Sequence, residues 1–258
     1  MTTFFVYSSY IARQPISDRN GNTVAFELLY RNSPLNRCPK INGEYATCSI
    51  LVDLLLDESH RLLKGVDAYI NFTHDSIIQG LPLCLPPEHL IIEVLEGDSP
   101  SPALISAIKD LHLRGYKIAL DDFIPSELWE PVLPFISIIK FDIQLYSLED
   151  SYAFMQSHSE FDIVYVAEKI EDYDQYQQAL RFGFHRFQGY YLAKPELLKK
   201  QILNDSYPIH YYKLHKQIHH TQFPEADAIT LPDTLVANEI EASPYHQFIA
   251  FSKVNRSQ

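Results

Sequence analysis

The segment Ile118-Ala-Leu-Asp-Asp-Phe123 takes three apolar residues directly into two adjacent carboxylates. It follows Leu113-Arg-Gly-Tyr-Lys117, which is typical of a helix end and a turn. A short apolar run bounded by turn signals indicates a buried parallel strand. Acids at the carboxyl end of such a strand lie at the edge of a sheet or the mouth of a barrel, where α/β enzymes carry out their chemistry. Taken alone, Asp121 and Asp122 fit two interpretations equally well, a capped turn or a metal site.

The same alternation of apolar runs and helical periodicity continues on both sides of this segment. Asp18-Arg-Asn-Gly-Asn22 is so short a turn that it predicts an antiparallel pairing of the first two strands, 10–16 and 23–30. Helical patterns follow, including 44–63 and a closing helix at 194–203. About eight strands alternating with helices over roughly 195 residues favour a TIM-like (β/α)8 barrel with one antiparallel strand over an open doubly wound sheet.

Polar residues recur where the predicted strands end. They are Glu27, Asn71, Glu93, Asp121, Asp122, Lys140, Glu168, Glu171 and Gln188. In a barrel these side chains would converge on one mouth, and so many carboxylates repel one another unless divalent cations neutralise them. Oxygen ligands with an amide among them suit Mg²⁺ or Mn²⁺. Each acid could instead cap a turn or form a salt bridge. This alternative explains a single acid more easily than six acids at successive strand ends.

A carboxylate-rich site with hard metal ions suits phosphodiester hydrolysis, in which the ions activate water and offset charge on the transferring phosphorus. In such a site Lys140 could orient the water, and Glu168 could accept its proton.

Composition narrows the class of protein further. A net charge of −12 argues against a binder of duplex nucleic acid, which normally displays a basic face. The sequence contains no run of 18 apolar residues, so it predicts no membrane span. The first residues lack the pattern of a signal peptide, and the three cysteines lack metal-ligand spacing. We therefore expect a cytoplasmic protein with reduced cysteines.

A series of motifs resembles the EAL domain, a family of cyclic di-GMP phosphodiesterases and their catalytically silent relatives. The motifs are Gln14-Pro-Ile16, Glu27-Leu-Leu29 with Arg31, Asn71, Glu93 with Glu96, Asp121-Asp-Phe123, Lys140 with Asp142, Ala167-Glu168 with Glu171, and Gln188-Gly-Tyr-Tyr191. Their order and approximate spacing match the family from about residue 10 to 200. The resemblance implies a barrel with one antiparallel strand, in agreement with the tight first hairpin.

The resemblance also implies a ligand set for metal ions. The first ion would be held by Glu27, Asn71, Glu93 and Asp121. Asp122 would help to hold a second ion. The implied reaction opens cyclic di-GMP to linear pGpG.

The remaining site residues also take roles from the resemblance. Lys140 would bind the attacking water, Glu168 would be the general base, and Gln188 would complete the site. The dinucleotide would be contacted by Gln14, Leu29 and Arg31. Glu96 would support the loop after Asp122. A homodimer and protein partners at the barrel mouth are further expectations.

Two departures from the family pattern lie next to these motifs. Active members usually continue after the paired acids with Gly-Thr-Gly-Tyr-Ser-Ser, whereas this chain has Ile124-Pro-Ser-Glu-Leu-Trp129, which lacks both glycines and is stiffened by a proline. Lys169 stands in place of a glycine beside the proposed base. Both changes resemble EAL domains that precede an HDOD domain. They leave two alternatives to hydrolysis: an EAL domain that binds cyclic di-GMP or a protein without cutting, and an interaction module whose acids only stabilise the mouth.

Residues 205–258 differ in character from the predicted barrel, 1–204. The segment Tyr207-Pro-Ile-His-Tyr-Tyr-Lys-Leu-His-Lys-Gln-Ile-His-His220 is rich in tyrosine and histidine. We interpret it as a C-terminal extension that packs on the barrel or on a partner, too short to form an HDOD domain.

Overall fold

The computed structural model describes residues 10–31, 65–95 and 99–198, with single positions between at 43, 46, 47, 50, 51 and 63. The strands are β1 (Tyr10–Asp18), β2 (Thr23–Arg31), β3 (Asp67–Phe72), β4 (Leu90–Val94), β5 (Lys117–Leu120), β6 (Ile138–Asp142), β7 (Val164–Glu168), β8 (Arg186–Phe187) and β9 (Glu196–Leu198). The helices are α1 (His74–Ile78), α2 (Pro102–Leu113), α3 (Leu148–Ser157) and α4 (Tyr173–Arg181). Short 3₁₀ helices cover Leu81–Cys84 and Glu130–Phe135.

Strands β1 to β8 close into a barrel. β2 to β8 run parallel in sequence order, and β1 closes the ring by pairing antiparallel with β2 and with β8. The predicted (β/α)8 barrel with one antiparallel strand is therefore confirmed. The hairpin that reverses the chain is stabilised by Asp18, whose carboxylate accepts hydrogen bonds from the backbone N–H groups of Asn20 and Asn22.

The prediction of a closing helix at 194–203 is wrong for its first residues. Glu196–Leu198 forms β9, which pairs antiparallel with residues 11–13 of β1. The guanidinium of Arg13 donates two hydrogen bonds to Glu196, and this pair holds the short strand against β1. Residues 199–203 and the extension 205–258 lie outside the described residues, as do Glu96 and most of the predicted helix 44–63, of which 46, 47, 50, 51 and 63 are described and helical.

Alternation along the strands divides the core into an outer and an inner part. The outer cluster includes Leu28, Ile70, Ile92 and Phe141 and packs beneath the helices. The inner cluster lies within the barrel and consists of Ile16, Ala25, Tyr69, Ile91, Ala119, Ile138 and Val166. Since residues two apart share a face of a strand, the next inward-facing side chains are the polar ones at the barrel mouth.

Within the described residues, no helix is both long and apolar enough to cross a membrane.

Candidate active site

The ammonium group of Lys140 forms the centre of the polar layer at the barrel mouth. Its Nζ lies 2.8 Å from Oδ1 of Asp121 and 2.7 Å from Oε1 of Glu168. It also donates a short hydrogen bond to Glu93, and Oε2 of Glu27 lies 3.8 Å away. Four strands thus present carboxylates to one lysine whose side chain is only 1% exposed. This is the convergence that the sequence predicted.

Side-chain amides donate hydrogen bonds to the Glu27 carboxylate. Nδ2 of Asn71 donates to Oε1 of Glu27 at 3.2 Å, and Nε2 of Gln188 donates to Oε2 at 2.5 Å. The same Gln188 nitrogen lies 3.3 Å from Oε1 of Gln14, whose own amide donates to the carbonyl of Ala193. Glu27, Asn71, Gln188 and Gln14 therefore form one hydrogen-bonded unit.

Burial and charge act in opposite directions on the central groups. Burial raises the pKa of Glu93 and of Glu168 well above the usual value, and the nearby Lys140 offsets this only in part. For Lys140, burial opposes protonation, but the carboxylates of Asp121, Glu168, Glu27 and Glu93 outweigh it and raise its pKa. The lysine is therefore a permanent cation within an acidic cluster.

Three buried oxygen atoms in this layer have no hydrogen-bond partner among the described residues: Asn71 Oδ1, Glu93 Oε2 and Gln188 Oε1. A buried oxygen without a partner costs free energy, and a hard cation is a ligand that satisfies carboxylate and amide oxygens together. The donor chemistry therefore fits Mg²⁺ or Mn²⁺. As the side chains stand, however, no three His, Cys, Asp or Glu groups in the described part of the chain form a metal-ligand cluster. The Glu93, Asp121 and Glu168 carboxylates are directed at Lys140 instead.

A second cation lies at the rim of the mouth. Nζ of Lys169 lies 3.0 Å and 3.2 Å from the two carboxylate oxygens of Asp122 and 2.5 Å from Oδ2 of Asp142. Burial opposes protonation of Lys169, but hydrogen bonds to Asp142 and Asp122 outweigh it and raise its pKa. The sequence predicted Asp122 as a metal ligand, and the structure joins it to a lysine. Asp142 was recognised as part of a motif, but its contact with Lys169 was missed.

Backbone contacts set the positions of the paired acids. The backbone N–H of Asp121 donates to the carbonyl of Val94, and that of Phe123 donates to the carbonyl of Lys140. Asp122, between them, adopts a left-handed φ of 42°. Phe123 is buried against Trp129, Phe141 and Phe154. The loop that departs from the family pattern thus begins at a fixed aromatic anchor and then exposes Ile124.

A close approach of two backbones positions Gln188. A Cβ atom added at Gly189 would lie 2.1 Å from the carbonyl oxygen of Ile170. The backbone N–H of Ile170 donates to the carbonyl of Gln188 at 3.2 Å. A glycine is therefore required directly after Gln188.

Some predicted site residues lie away from the centre. Arg31 is buried at the end of β2, where its guanidinium donates to the carbonyl of Tyr30, and Leu29 is half-buried on the same strand. Glu171 is exposed, and its backbone N–H bonds to Gln175.

No protein-family model matches the chain. The cyclic di-GMP phosphodiesterase CdgJ of Vibrio cholerae is 35% identical over 247 residues, covering 92% of this chain and 55% of that protein. The uncharacterised protein YuxH of Bacillus subtilis is 34% identical over 211 residues, covering 80% of this chain and 51% of that protein. This chain thus spans about half the length of the curated relatives it matches.

The barrel also superposes on solved structures. YkuI of Bacillus subtilis, a protein with an EAL domain whose structure contains its substrate cyclic di-GMP and calcium, matches with a TM-score of 0.56 at 18% identity. The match covers 82% of this chain and 62% of that one. The chain thus shares its barrel fold with a protein that has an EAL domain. The resemblance to the EAL domain family that the motifs indicated is confirmed.

Proposed function

We propose that this protein is a metal-dependent phosphodiesterase that opens cyclic di-GMP to linear pGpG. The observation that carries the proposal is the convergence of Glu27, Asn71, Glu93, Asp121, Lys140 and Glu168 on the barrel mouth. The similarity to CdgJ, a cyclic di-GMP phosphodiesterase, and the cyclic di-GMP complex of YkuI support this choice of substrate.

The residues that would hold Mg²⁺ or Mn²⁺ are Glu27, Asn71, Glu93 and Asp121. Two of them, Asn71 and Glu93, carry buried oxygens without a partner in the described part of the chain. When bound, the ion supplies Lewis acidity that lowers the pKa of water and offsets charge on the phosphate. The Glu93 and Asp121 carboxylates also contact Lys140, so they would hold the ion beside this ammonium group.

Glu168 and Lys140 would carry out the proton and charge chemistry. The carboxylate of Glu168 would accept the proton of the attacking water, and burial raises its pKa, which strengthens it as a base in its ionised form. Lys140 stays protonated beside Glu168 and would orient the water and stabilise charge that develops on the phosphate.

The dinucleotide would be contacted by the amide unit and by the end of β2. Gln14 and Gln188 lie at the mouth beside Glu27. Leu29 and Arg31 follow Glu27 on β2 toward the same end of the barrel.

A second candidate function is binding of cyclic di-GMP without hydrolysis. The contact of Lys169 with Asp122 and Asp142 favours it, because it neutralises acids at the mouth without a metal ion. The proline-containing loop after Phe123 is a further departure from active family members.

The test is incubation of the full chain with cyclic di-GMP and Mg²⁺ or Mn²⁺, with the product followed by chromatography. We expect pGpG in the presence of either ion and none with a chelator. Glu27→Ala should abolish the product, whereas Glu149→Ala, an exposed acid on α3, should not. Absence of product together with micromolar binding by calorimetry would reject hydrolysis and support the second function.

A further inference from the structure

Two lysines divide the acids of the barrel mouth between them. Lys140 lies inside the barrel and contacts the carboxylates of Glu27, Glu93, Asp121 and Glu168. Lys169 lies at the rim, where it contacts Asp122 and Asp142. The two groups differ in one respect that bears on metal binding, which is whether buried side-chain oxygens remain without a hydrogen-bond partner.

Every carboxylate oxygen of the rim pair has a donor. Both oxygens of Asp122 accept from Nζ of Lys169. For Asp142, Oδ2 accepts from Lys169, and Oδ1 accepts from the backbone N–H of Gln144 at 2.8 Å. In the inner group, by contrast, Oε2 of Glu93 has no partner among the described residues, and neither does Oδ1 of Asn71, which is hydrogen-bonded to Glu27 of that group. The inner group therefore has oxygens to offer a cation, and the rim pair does not.

The backbone fixes Lys169 in this role. It follows Glu168 directly at the end of β7 and adopts a left-handed φ of 57°, which residues other than glycine seldom adopt. Its carbonyl accepts a hydrogen bond from the side chain of Gln144, the residue whose backbone N–H binds Asp142. Lys169 adopts this unfavourable backbone conformation while its carbonyl and its ammonium both form hydrogen bonds. We infer that the contact with Asp142 and Asp122 stabilises the conformation.

We propose that Lys169 is a built-in cation that takes the place of a divalent ion at Asp122 and Asp142, so that the mouth binds one divalent ion instead of two. The inference rests on the proposed metal site at Glu27, Asn71, Glu93 and Asp121. Asp122 then acts as the partner of Lys169. The positive charge that balances its carboxylate is supplied by the chain itself.

The test is the stoichiometry of Mn²⁺ binding to the full chain, measured by equilibrium dialysis and by electron paramagnetic resonance, in the absence of any nucleotide. We expect the wild-type chain to bind one Mn²⁺. Lys169→Ala and Lys169→Gly should each bind two, with the broadened spectrum of two neighbouring ions, because both uncover the oxygens of Asp122 and Asp142. The glycine variant also relieves the left-handed backbone, so it folds even if the alanine variant does not. Lys169→Arg keeps the charge and should bind one ion.

Lys117 provides a matched control at the opposite end of the barrel. Its Nζ lies 2.7 Å from Asp67, its side chain is 52% exposed against 49% for Lys169, and the two aspartate partners, Asp67 and Asp122, are 18% and 19% exposed. Lys117→Ala should therefore leave the stoichiometry at one ion.

Two wild-type ions, no wild-type ion, or an unchanged stoichiometry in the Lys169→Gly variant would overturn the proposal. Asp122→Asn gives a second measurement that preserves side-chain volume. It should leave one ion bound, and a loss of that ion would also overturn the proposal. Turnover of cyclic di-GMP measured on the same samples separates the two claims: a wild-type chain with one ion and no pGpG would reject the proposed hydrolysis while leaving the role of Lys169 intact.

Discussion

Nζ of Lys140 lies 2.8 Å from Oδ1 of Asp121, inside a barrel where the lysine side chain is 1% exposed. The same ammonium contacts Glu93 and Glu168, so one cation compensates two buried acids and the partly exposed Asp121. Removing one partner of a buried ion pair costs far more free energy than the pair contributes, because it leaves charge uncompensated.

Replacement of Lys140 tests this relationship. Lys140→Met should lower the free energy of unfolding of the metal-free protein by about 3–5 kcal/mol. Mn²⁺ should restore part of the loss, because the ion can take over the orphaned carboxylates. The measurement is urea unfolding with chelator and with Mn²⁺. Lys117→Met, which breaks an exposed pair, should cost about 1 kcal/mol or less. Equal stability of Lys140→Met and the wild type would refute the assignment of Lys140 as the cation that compensates these acids.

Glu168 is the residue on which the proposed proton transfer depends. Glu168→Gln should reduce turnover of cyclic di-GMP by roughly 10²- to 10⁴-fold, the usual contribution of a general base. Binding of the dinucleotide should change little, because the amide has the shape of the carboxylate. Initial rates and calorimetry measure the two effects separately. Glu160→Gln, an exposed acid just before β7, is the control, and an unaltered rate in Glu168→Gln would eliminate this residue as the base.

Alkaline pH should weaken the fold through two buried tyrosines. Burial raises the pKa of Tyr69 and of Tyr165 to about 12. Between pH 10 and 12 the unfolded chain therefore binds fewer protons than the folded chain, and stability falls as pH rises, by up to about 1.4 kcal/mol per pH unit for each tyrosine. Tyr165→Phe should reduce this slope in urea unfolding measured from pH 8 to 11. A slope identical to that of the wild type would contradict the prediction.

The two tyrosines should differ at neutral pH. The hydroxyl of Tyr165 is buried without a hydrogen-bond partner among the described residues, whereas that of Tyr69 accepts from Arg186 at 2.8 Å. Tyr165→Phe should leave the free energy of unfolding unchanged or raise it, and Tyr69→Phe should lower it by about 1 kcal/mol. The reverse order would show that these hydroxyl contacts are misassigned.

Gly189 permits the close approach to the backbone of Ile170 that positions Gln188. In Gly189→Ala the new Cβ would overlap the backbone of Ile170, so we expect a loss of about 3 kcal/mol or more. Gly115→Ala serves as the comparison, because Gly115 has a φ of 89° and no atom within 4 Å of an added Cβ. It should cost only about 1 kcal/mol of backbone strain. Thermal denaturation distinguishes the two, and equal costs would contradict the steric argument.

The sequence by itself determined the barrel and its polar mouth, because both follow from local patterns. A strand has a period of two, so Glu27, Asn71 and Glu93 had to share the inward face with the apolar residues two positions before them. The tight turn after Asp18 had to produce an antiparallel pair. These outcomes depend on neighbours in the chain, and they were predictable for that reason.

Only the tertiary structure decided which partners the mouth residues have. Strand β9 is three residues long and has no signal of its own, because its hydrogen bonds come from β1, more than 180 residues earlier. The contact of Lys169 with Asp122 and Asp142 joins the ends of three strands, and the motif around Lys140 gave no indication of it. Charges separated in sequence are brought within ion-pair distance by strand order and side-chain conformation. A pattern along one strand carries no information about either.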